Sequence, residues 1–569
     1  MNKKIYQLFF IASVAIVMAS CGKKTPKEAK YIPKDATAVV VVNPKSLDNK
    51  LKSGNLTIDS FLNRFKDKFM DMSEDDKKKL EDFKNNGVSF EDNIFFFMVQ
   101  RGSLQKGIVT TANLMLSLKD KAKFEKYIKE QKEYKAENLV QEKDYAYLSG
   151  DDKISIAWNN EIVTLSYYYK DSKSLFNANG DYVEPDMNEE RKEQQNEVAR
   201  YFSLKENESI ASVSYFNDMF KTKADGYFFS SSAGALGYLS ATPLNIPKMQ
   251  ELLQDNYSVA TFNFDNGQIL AKSTTYTNPM LSSILKKYTG SKVNTHLTEF
   301  FPSQNMNGTL LLSFNPELFD GILKELEVKG MLEGFLTQVG LTSADVFKAL
   351  KGEINIALAD FTIETKEVTY PSFGGTGTEK YTKTEPSFKL IVTAPIGDIT
   401  AFNNVMNKGV ENGFFVKTST GYGASKMMAS SDIYFSADDK TVVIASSEEL
   451  YKTYLANKTK SNVSSDILSA FSGKTMATYI DINSFIKGSM NSVKDSSIQK
   501  AMNRVNATFK NVISTTDNFS GKSISGKVEV NLVNDKENSL VSILNMISDI
   551  YKISQEKEKK ISTEAVPAS

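Results

Sequence analysis

Two stretches decide how this chain is read. One is Ile154-Ser155-Ile156-Ala157-Trp158-Asn159-Asn160-Glu161-Ile162-Val163-Thr164-Leu165. The other is Ile433-Tyr434-Phe435-Ser436-Ala437-Asp438-Asp439-Lys440-Thr441-Val442-Val443-Ile444, which starts 279 residues later. Each is a pair of apolar, β-branched runs around a polar turn, Asn-Asn in one and Asp-Asp in the other, and each predicts a hairpin. Repetition at a fixed spacing is the mark of an internal duplication.

The correspondence extends outward from the hairpins. Upstream, Leu114 to Leu118 leads to Asp120 and Phe124, and Leu390 to Ala394 leads to Asp398 and Phe402. Each is a strand followed by an aspartate placed to cap a helix. Near the ends, Leu281-Ser282-Ser283-Ile284-Leu285 matches Leu540-Val541-Ser542-Ile543-Leu544. The spacing drifts, and a polar stretch from Thr362 to Pro386 has no first-half counterpart of equal length.

A smaller element recurs four times: a strand, an asparagine, then a helix. It predicts Asn43, Asn217, Asn315 and Asn483 as helix N-caps, a structural role in which the side chain accepts from a free N–H of the first turn. Proline follows Asn43 and Asn315, where its missing N–H costs nothing.

The expected architecture is α+β: two homologous halves, 31–295 and 296–553, each with antiparallel sheets backed by helices. In the first half strands are expected near 37–43, 93–99, 109–118, 144–149, 153–158, 161–168, 208–216, 256–264 and 268–277. Asp265-Asn266-Gly267 is expected to turn the last pair. Helices are expected near 57–85, 120–135, 188–202, 247–255 and 279–288. Residues 554–569 read as a charged, disordered tail.

The N-terminus supplies an address. Lys3-Lys4 precedes an apolar run from Ile5 to Val17, then Met18-Ala19-Ser20-Cys21-Gly22. This is the layout of a lipoprotein signal, with residues 1–20 removed and Cys21 acylated. The apolar run is shorter than the ~20 residues of a membrane span. Residues 21–30 read as a flexible tether. The expected location is the cell envelope, anchored at the outer membrane through lipid on Cys21. The Met18-Ala19-Ser20-Cys21-Gly22-Lys23-Lys24 start resembles lipoproteins of the Bacteroides group, whose surface-exported members usually carry an acidic cluster after the cysteine; lysines stand there instead, which tilts the expectation to the periplasmic face over the cell surface.

Composition narrows the chemistry. Lys+Arg and Asp+Glu both number 69, a balance that argues against nucleic acid as a partner. Cys21 is the only cysteine and His296 the only histidine, so multi-histidine and thiolate metal sites are not expected. No cofactor, metal or catalytic residue is assigned. Gly374 to Lys380 lacks the frame of a phosphate loop. Ser283-Ile284-Leu285-Lys286 fits Ser-x-x-Lys, but its apolar residues have core spacing. The pairs Asp75-Asp76, Asp151-Asp152 and Asp438-Asp439 read as turns. One segment, Gly226 to Leu239, departs from the duplication. Its Tyr227, Phe228, Phe229, Leu236 and Tyr238 are the candidate apolar contact surface.

The lipoprotein start, the Tyr31-Ile32-Pro33-Lys34-Asp35-Ala36 opening and the strand-Asn-Pro element resemble the domain-of-unknown-function 4836 family of Bacteroides-group lipoproteins. The resemblance implies an envelope lipoprotein and supplies no catalytic residues. The expected function is a lipid-anchored protein with a non-enzymatic binding or scaffolding role toward an envelope protein, glycan or lipid. The alternatives are a carboxylate-dependent envelope hydrolase and a periplasmic carrier or chaperone with an apolar groove.

Overall fold

The computed structural model describes residues 25–57, 60, 85–103, 107–131, 134–150, 153–171, 180–182, 187–232, 246–371, 378–428, 433–456 and 460–564. Cys21, Leu236, Tyr238 and most of the helix expected at 57–85 lie outside them. The chain is mixed α+β, with twenty-one strands whose pairings among the described residues are antiparallel. It divides into two compact units. The first is Met1–Asn245, Met249–Asp265 and Ala271–Asn278; the second is Ile246–Lys248, Asn266–Leu270 and Pro279–Ser569. The main division therefore falls at Asn278/Pro279, earlier than 295/296.

In the first unit the strands are β1 (Ala38–Val42), β2 (Val88–Ser89), β3 (Ile94–Ser103), β4 (Gly107–Leu118), β5 (Leu139–Gln141), β6 (Ala146–Ser149), β7 (Ile154–Trp158), β8 (Ile162–Lys170), β9 (Gly226–Ser231) and β10 (Tyr257–Asp265). They pair in the order β5-β6-β7-β8-β4-β3-β1-β9-β10, with the short β2 beside the end of β4. β11 (Gln268–Tyr276) follows a two-residue connection, Asn266-Gly267, where Gly267 takes a φ of 70°.

The second unit holds β12 (Met306–Ser313), β13 (Glu353–Pro371), β14 (Thr378–Pro395), β15 (Phe415–Lys417), β16 (Tyr422–Ala424), β17 (Tyr434–Ala437), β18 (Thr441–Ala445), β19 (Met476–Asp481), β20 (Phe509–Thr516) and β21 (Ser523–Leu532). Their order is β15-β16-β17-β18-β14-β13-β12-β19-β20-β21. Reading β1 as β12, β3 as β13 and so on to β10 as β20, the two orders coincide.

Local chemistry repeats too. In the hairpin β7–β8 the Asn159 N–H donates to the Ile162 carbonyl, and Asn159 Oδ1 accepts from the N–H groups of Glu161 and Ile162 at 2.8 and 3.0 Å. In β17–β18 the Asp438 N–H donates to the Thr441 carbonyl, and Asp438 Oδ1 accepts from Lys440 and Thr441, both at 2.7 Å. Both are Asx turns, in which the side chain stands in for a backbone acceptor. Asp120 and Asp398 cap the helices Lys121–Lys129 and Ile399–Glu411 by accepting from Lys123 N and Ala401 N. The polar stretch after Thr362 is the outer part of the long β13–β14 hairpin, beyond a register shift between Ala359 and Thr362.

Alternation places the core. Val39 and Val41 of β1 are fully buried, flanked by Phe97 and Phe95 on β3 and by Phe229 and Tyr227 on β9. The opposite face of the first unit buries Leu114, Leu116, Phe124, Trp158 and Val163. In the second unit Leu311 sits between Asn355 on β13 and Ala477 on β19, in a core with Phe301, Ile391, Val443 and Phe471.

Four expectations need correction. Residues 208–216 form two 3-10 turns, Glu206–Glu208 and Ile210–Ser212, and the start of the helix Ser214–Met219. Ser209 and Ser212 hydroxyls bond back to the carbonyls three residues earlier, a local alternative to strand pairing. The missing central strand is β9, so Gly226 to Ser231 continues the common strand order instead of breaking it. The tether is shorter than 21–30, because Lys27–Tyr31 forms a 3-10 turn with Glu28 and Ala29 buried. The C-terminal residues to Glu564 continue the helix Ser539–Glu564, whose Lys557 pairs with Asp495 at 2.6 Å.

Candidate functional site

The predicted caps divide into two groups. Asn43 caps the helix Pro44–Ser53, its Oδ1 accepting from Ser46 N at 3.2 Å. Asn315 Oδ1 accepts from Glu317 N at 3.0 Å, but it stands one residue outside the cap position of the helix Glu317–Glu325, which Pro316 holds. Asn217 and Asn483 are not caps, since each lies inside its helix. Asn217 donates to the Ala211 carbonyl, and Asn483 donates to the carbonyls of Asn506 and Phe509. The cap ahead of Asn483 is Asp481, which accepts from Ser484 N. A carboxylate two residues earlier outcompetes the asparagine for the free N–H groups.

The predicted contact surface is overturned at its centre. Tyr227 is 5% exposed and Phe229 is fully buried in the first unit's own core. Phe229 packs edge-on to Phe216 at 5.5 Å, and Tyr227 OH donates to the Thr222 carbonyl at 2.9 Å. Phe228 alternates to the other face of β9 and is half-buried.

What the sequence did not disclose is a polar seam beneath the helix Met187–Ser203. That helix turns Glu190, Gln194, Val198 and Tyr201 inward, all 7% exposed or less. Beneath it the sheet presents Thr111, Asn113, Ser155, Thr164 and Ser166, all buried. Tyr201 OH lies 2.8 Å from Thr111 Oγ1 and accepts from Asn113 Nδ2 at 3.3 Å; Gln194 donates to Ser155 at 3.2 Å. Tyr168 OH donates to Glu193 at 2.5 Å. Burial pushes the Tyr201 phenol up, and burial with the Glu193 carboxylate does the same to Tyr168, so both stay protonated donors.

One end of the seam is closed by four charges. Arg101 Nη2 donates to both Asp35 oxygens at 2.9 and 2.7 Å, and its Nε donates to Glu197 at 3.1 Å. Arg200 donates to the same two acids at 3.0 and 3.3 Å. Burial pushes the Glu197 carboxyl up, against the pull of Arg101. Two carboxylates converge here, one with a raised pKa, as a carboxylate hydrolase requires. Both are held by guanidinium groups, in a closed set of two positive and two negative charges. The geometry suits fixing the helix to the sheet, and it leaves no acid aimed at a substrate.

The remaining candidates are plainly placed. His296 is exposed in the short helix His296–Glu299, its ring 5.0 Å from Phe300. Ser283 and Lys286 lie in the helix Pro279–Lys287, where Ile284 is buried. Among the described residues no group of three or more His, Cys, Asp or Glu side chains is arranged to hold a metal, and no helix is long and apolar enough to cross a membrane.

The second unit offers a different surface. The helix Lys329–Gln338 has no buried residue. Met331 and Phe335, four residues apart, and Val339 just beyond its end are 49%, 67% and 51% exposed. Positions spaced by four share one face of a helix. Nearby in sequence, Phe319 and Val346 are also exposed, and Phe319 stacks on Phe347 at 6.4 Å. Contiguous exposed apolar side chains are the kind of surface that interaction sites use.

Residues 29–540 match one protein family along most of the chain. The chain belongs to the family described as "Domain of unknown function (DUF4836)". No curated protein matches. A solved structure titled "Structure of crystal form I of TP0453" matches with a TM-score of 0.21 and 7% identity, over 48% of this chain and 90% of that one. DUF4836 membership agrees with the resemblance drawn from the Tyr31–Ala36 opening and the strand-Asn-Pro element.

Proposed function

We propose that this DUF4836 chain is a lipid-anchored cell-envelope protein with a non-enzymatic binding or scaffolding role. The observation that carries the reading is the solvent-facing stripe Met331, Phe335 and Val339. Burying three such side chains against a partner is worth roughly 1.5–3 kcal/mol each before the costs of association. The candidate contact surface thus moves from Tyr227 and Phe229 to the second unit.

The anchor is the lipid on Cys21, at the outer membrane and on its periplasmic face. Support comes from the signal layout of residues 3–22 and from the lysines that follow the cysteine. The body is a duplication of one α+β unit. The coincident strand order, the twin Asx turns at Asn159 and Asp438 and the twin caps at Asp120 and Asp398 support that origin.

A photoreactive amino acid at position 335, in cells, tests the reading. The outcome expected is a discrete protein adduct at 335 and none at exposed Thr337 on the same helix. A lipid adduct in place of a protein one moves the assignment to a carrier. Equal, diffuse labelling at both positions removes the contact surface altogether.

A further inference from the structure

The first described residues of the chain are built into the first unit. Ala29 and Ile32 are fully buried, and Glu28 is 4% exposed. Ser117 Oγ donates to the Glu28 carboxylate. Lys30 Nζ pairs with Glu161 Oε2 at 2.7 Å, and Tyr31 OH donates to the same oxygen at 3.2 Å while accepting from Asn159 Nδ2 at 2.9 Å. The segment is therefore pinned to one end of the sheet, where β4 finishes and the β7–β8 turn lies.

This pinning sets a length. Cys21 and Pro26 are five residues apart in sequence. At full extension five residues reach about 18 Å. That is less than the length of β8, whose eight steps from Ile162 to Lys170 span about 26 Å. The body cannot swing freely on so short a link.

We infer that the end of the first unit carrying the β7–β8 turn, residues Asn159 to Glu161, together with Lys119 and Lys30, lies against the lipid headgroups. The opposite end of β8, at Tyr169, points away from the membrane. The inference rests on acylation of Cys21. Covalent reach selects this face, since its charges nearly balance: Lys27, Lys30 and Lys119 stand among Glu91, Asp92 and Glu161, with Lys119 pairing Glu91 at 3.1 Å.

Because the lipid occupies the only cysteine, single thiols can be introduced for labelling. The acylated protein is reconstituted into phosphatidylethanolamine–phosphatidylglycerol vesicles containing a headgroup-attached quencher. A fluorophore is placed at exposed Asn160 (Asn160→Cys) or at half-exposed Tyr169 (Tyr169→Cys). Quenching is expected to be several-fold stronger at 160 than at 169. Inserting twenty Gly/Ser residues between Thr25 and Pro26 is expected to bring the two values together, with far-UV circular dichroism unchanged. Equal quenching in the chain of natural length overturns the inference while leaving the anchor intact. A mature N-terminal peptide without acyl mass at Cys21 overturns the anchor itself, and the inference with it.

Discussion

The two units share a strand order and differ in what fills it. In the first, the row through Val39 reads Asn113, Phe97, Val39, Phe229 and Val259 across five strands. In the second, the row through Leu311 reads Thr393, Asn355, Leu311, Ala477 and Thr515. Two phenylalanines flank the central strand in one unit, and an asparagine and an alanine flank it in the other. The two units thus share turns, caps and alternation, while their central side chains differ. The consequence is functional. The first unit spends its surface on an internal polar seam and on the pinned N-terminus, and the second leaves an apolar stripe in solvent.

The sharpest way to break this comparison is Phe229→Ala, which gives the first unit the residue found at the matching place in the second. A fully buried phenylalanine truncated to alanine costs about 3–5 kcal/mol. Trp158 is the only tryptophan and sits buried in the first unit, edge-on to Phe124 at 5.5 Å. Its fluorescence in a urea titration therefore reports that unit. A large fall in the Trp158 midpoint is expected, with the remaining circular dichroism transition unmoved. If both transitions move together, the units do not fold independently and the row comparison loses its meaning.

A finer comparison uses the twin turns. Asn159→Ala and Asp438→Ala each remove an oxygen that accepts from two backbone N–H groups. The exposed Asp438 turn should lose about 0.5–1 kcal/mol. Asn159 also donates to Tyr31 OH, a contact with no counterpart at an aspartate. Its loss is expected to be larger, about 1–2 kcal/mol. Equal losses would show that Tyr31 draws nothing from the turn, and would weaken the pinning of the N-terminal segment.

Much of this was legible in the residues because it is local. Strands such as β1, β7 and β8 announce themselves by alternation and β-branching, and Asp120 and Asp398 by their place before an apolar period. β9 was missed because Gly226-Tyr227-Phe228-Phe229-Ser230-Ser231 is aromatic on both faces, so its period of two is masked. A cap depends on where the helix starts: the helix holding Asn217 begins at Ser214, after Val213 and with no side-chain cap, and Asp481 caps the helix holding Asn483. The Asp35, Arg101, Glu197 and Arg200 set joins residues 66, 96 and 165 apart in sequence, and no local pattern encodes such pairs. The polar seam was hidden for a related reason: a helix reading Glu193-Gln194-Gln195-Asn196-Glu197 looks solvated until the sheet beneath it proves polar as well.

The smallest expected difference is in pH response. In the first unit burial raises the carboxyl pKa of Glu28 and of Glu197. An acid whose folded pKa is raised favours the fold below its unfolded value, about 4.3, and that contribution is lost as pH climbs through the folded pKa. Glu161, lowered chiefly by Lys30, and Glu193, where the bonds from Tyr168 and Lys170 outweigh burial, work in the opposite sense. Among the described residues of the second unit the carboxyl pKa values that move are all lowered. Ser343 lowers Glu333, Thr342 lowers Asp345 and Lys383 lowers Glu385. Lys557 lowers Asp495, and at Asp360 the Lys389 contact outweighs burial. Those contributions are present above the unfolded pKa and vanish as pH falls through the folded one. From pH 7 to pH 4 the Trp158 midpoint should therefore hold or rise while the second transition falls. Glu28→Gln should flatten the Trp158 trend above pH 4.5 without touching the other, because an amide at that site is neutral at every pH. Parallel falls in both transitions would mean that the paired acids dominate in both units, and that burial of Glu28 carries no weight in holding the N-terminal segment down.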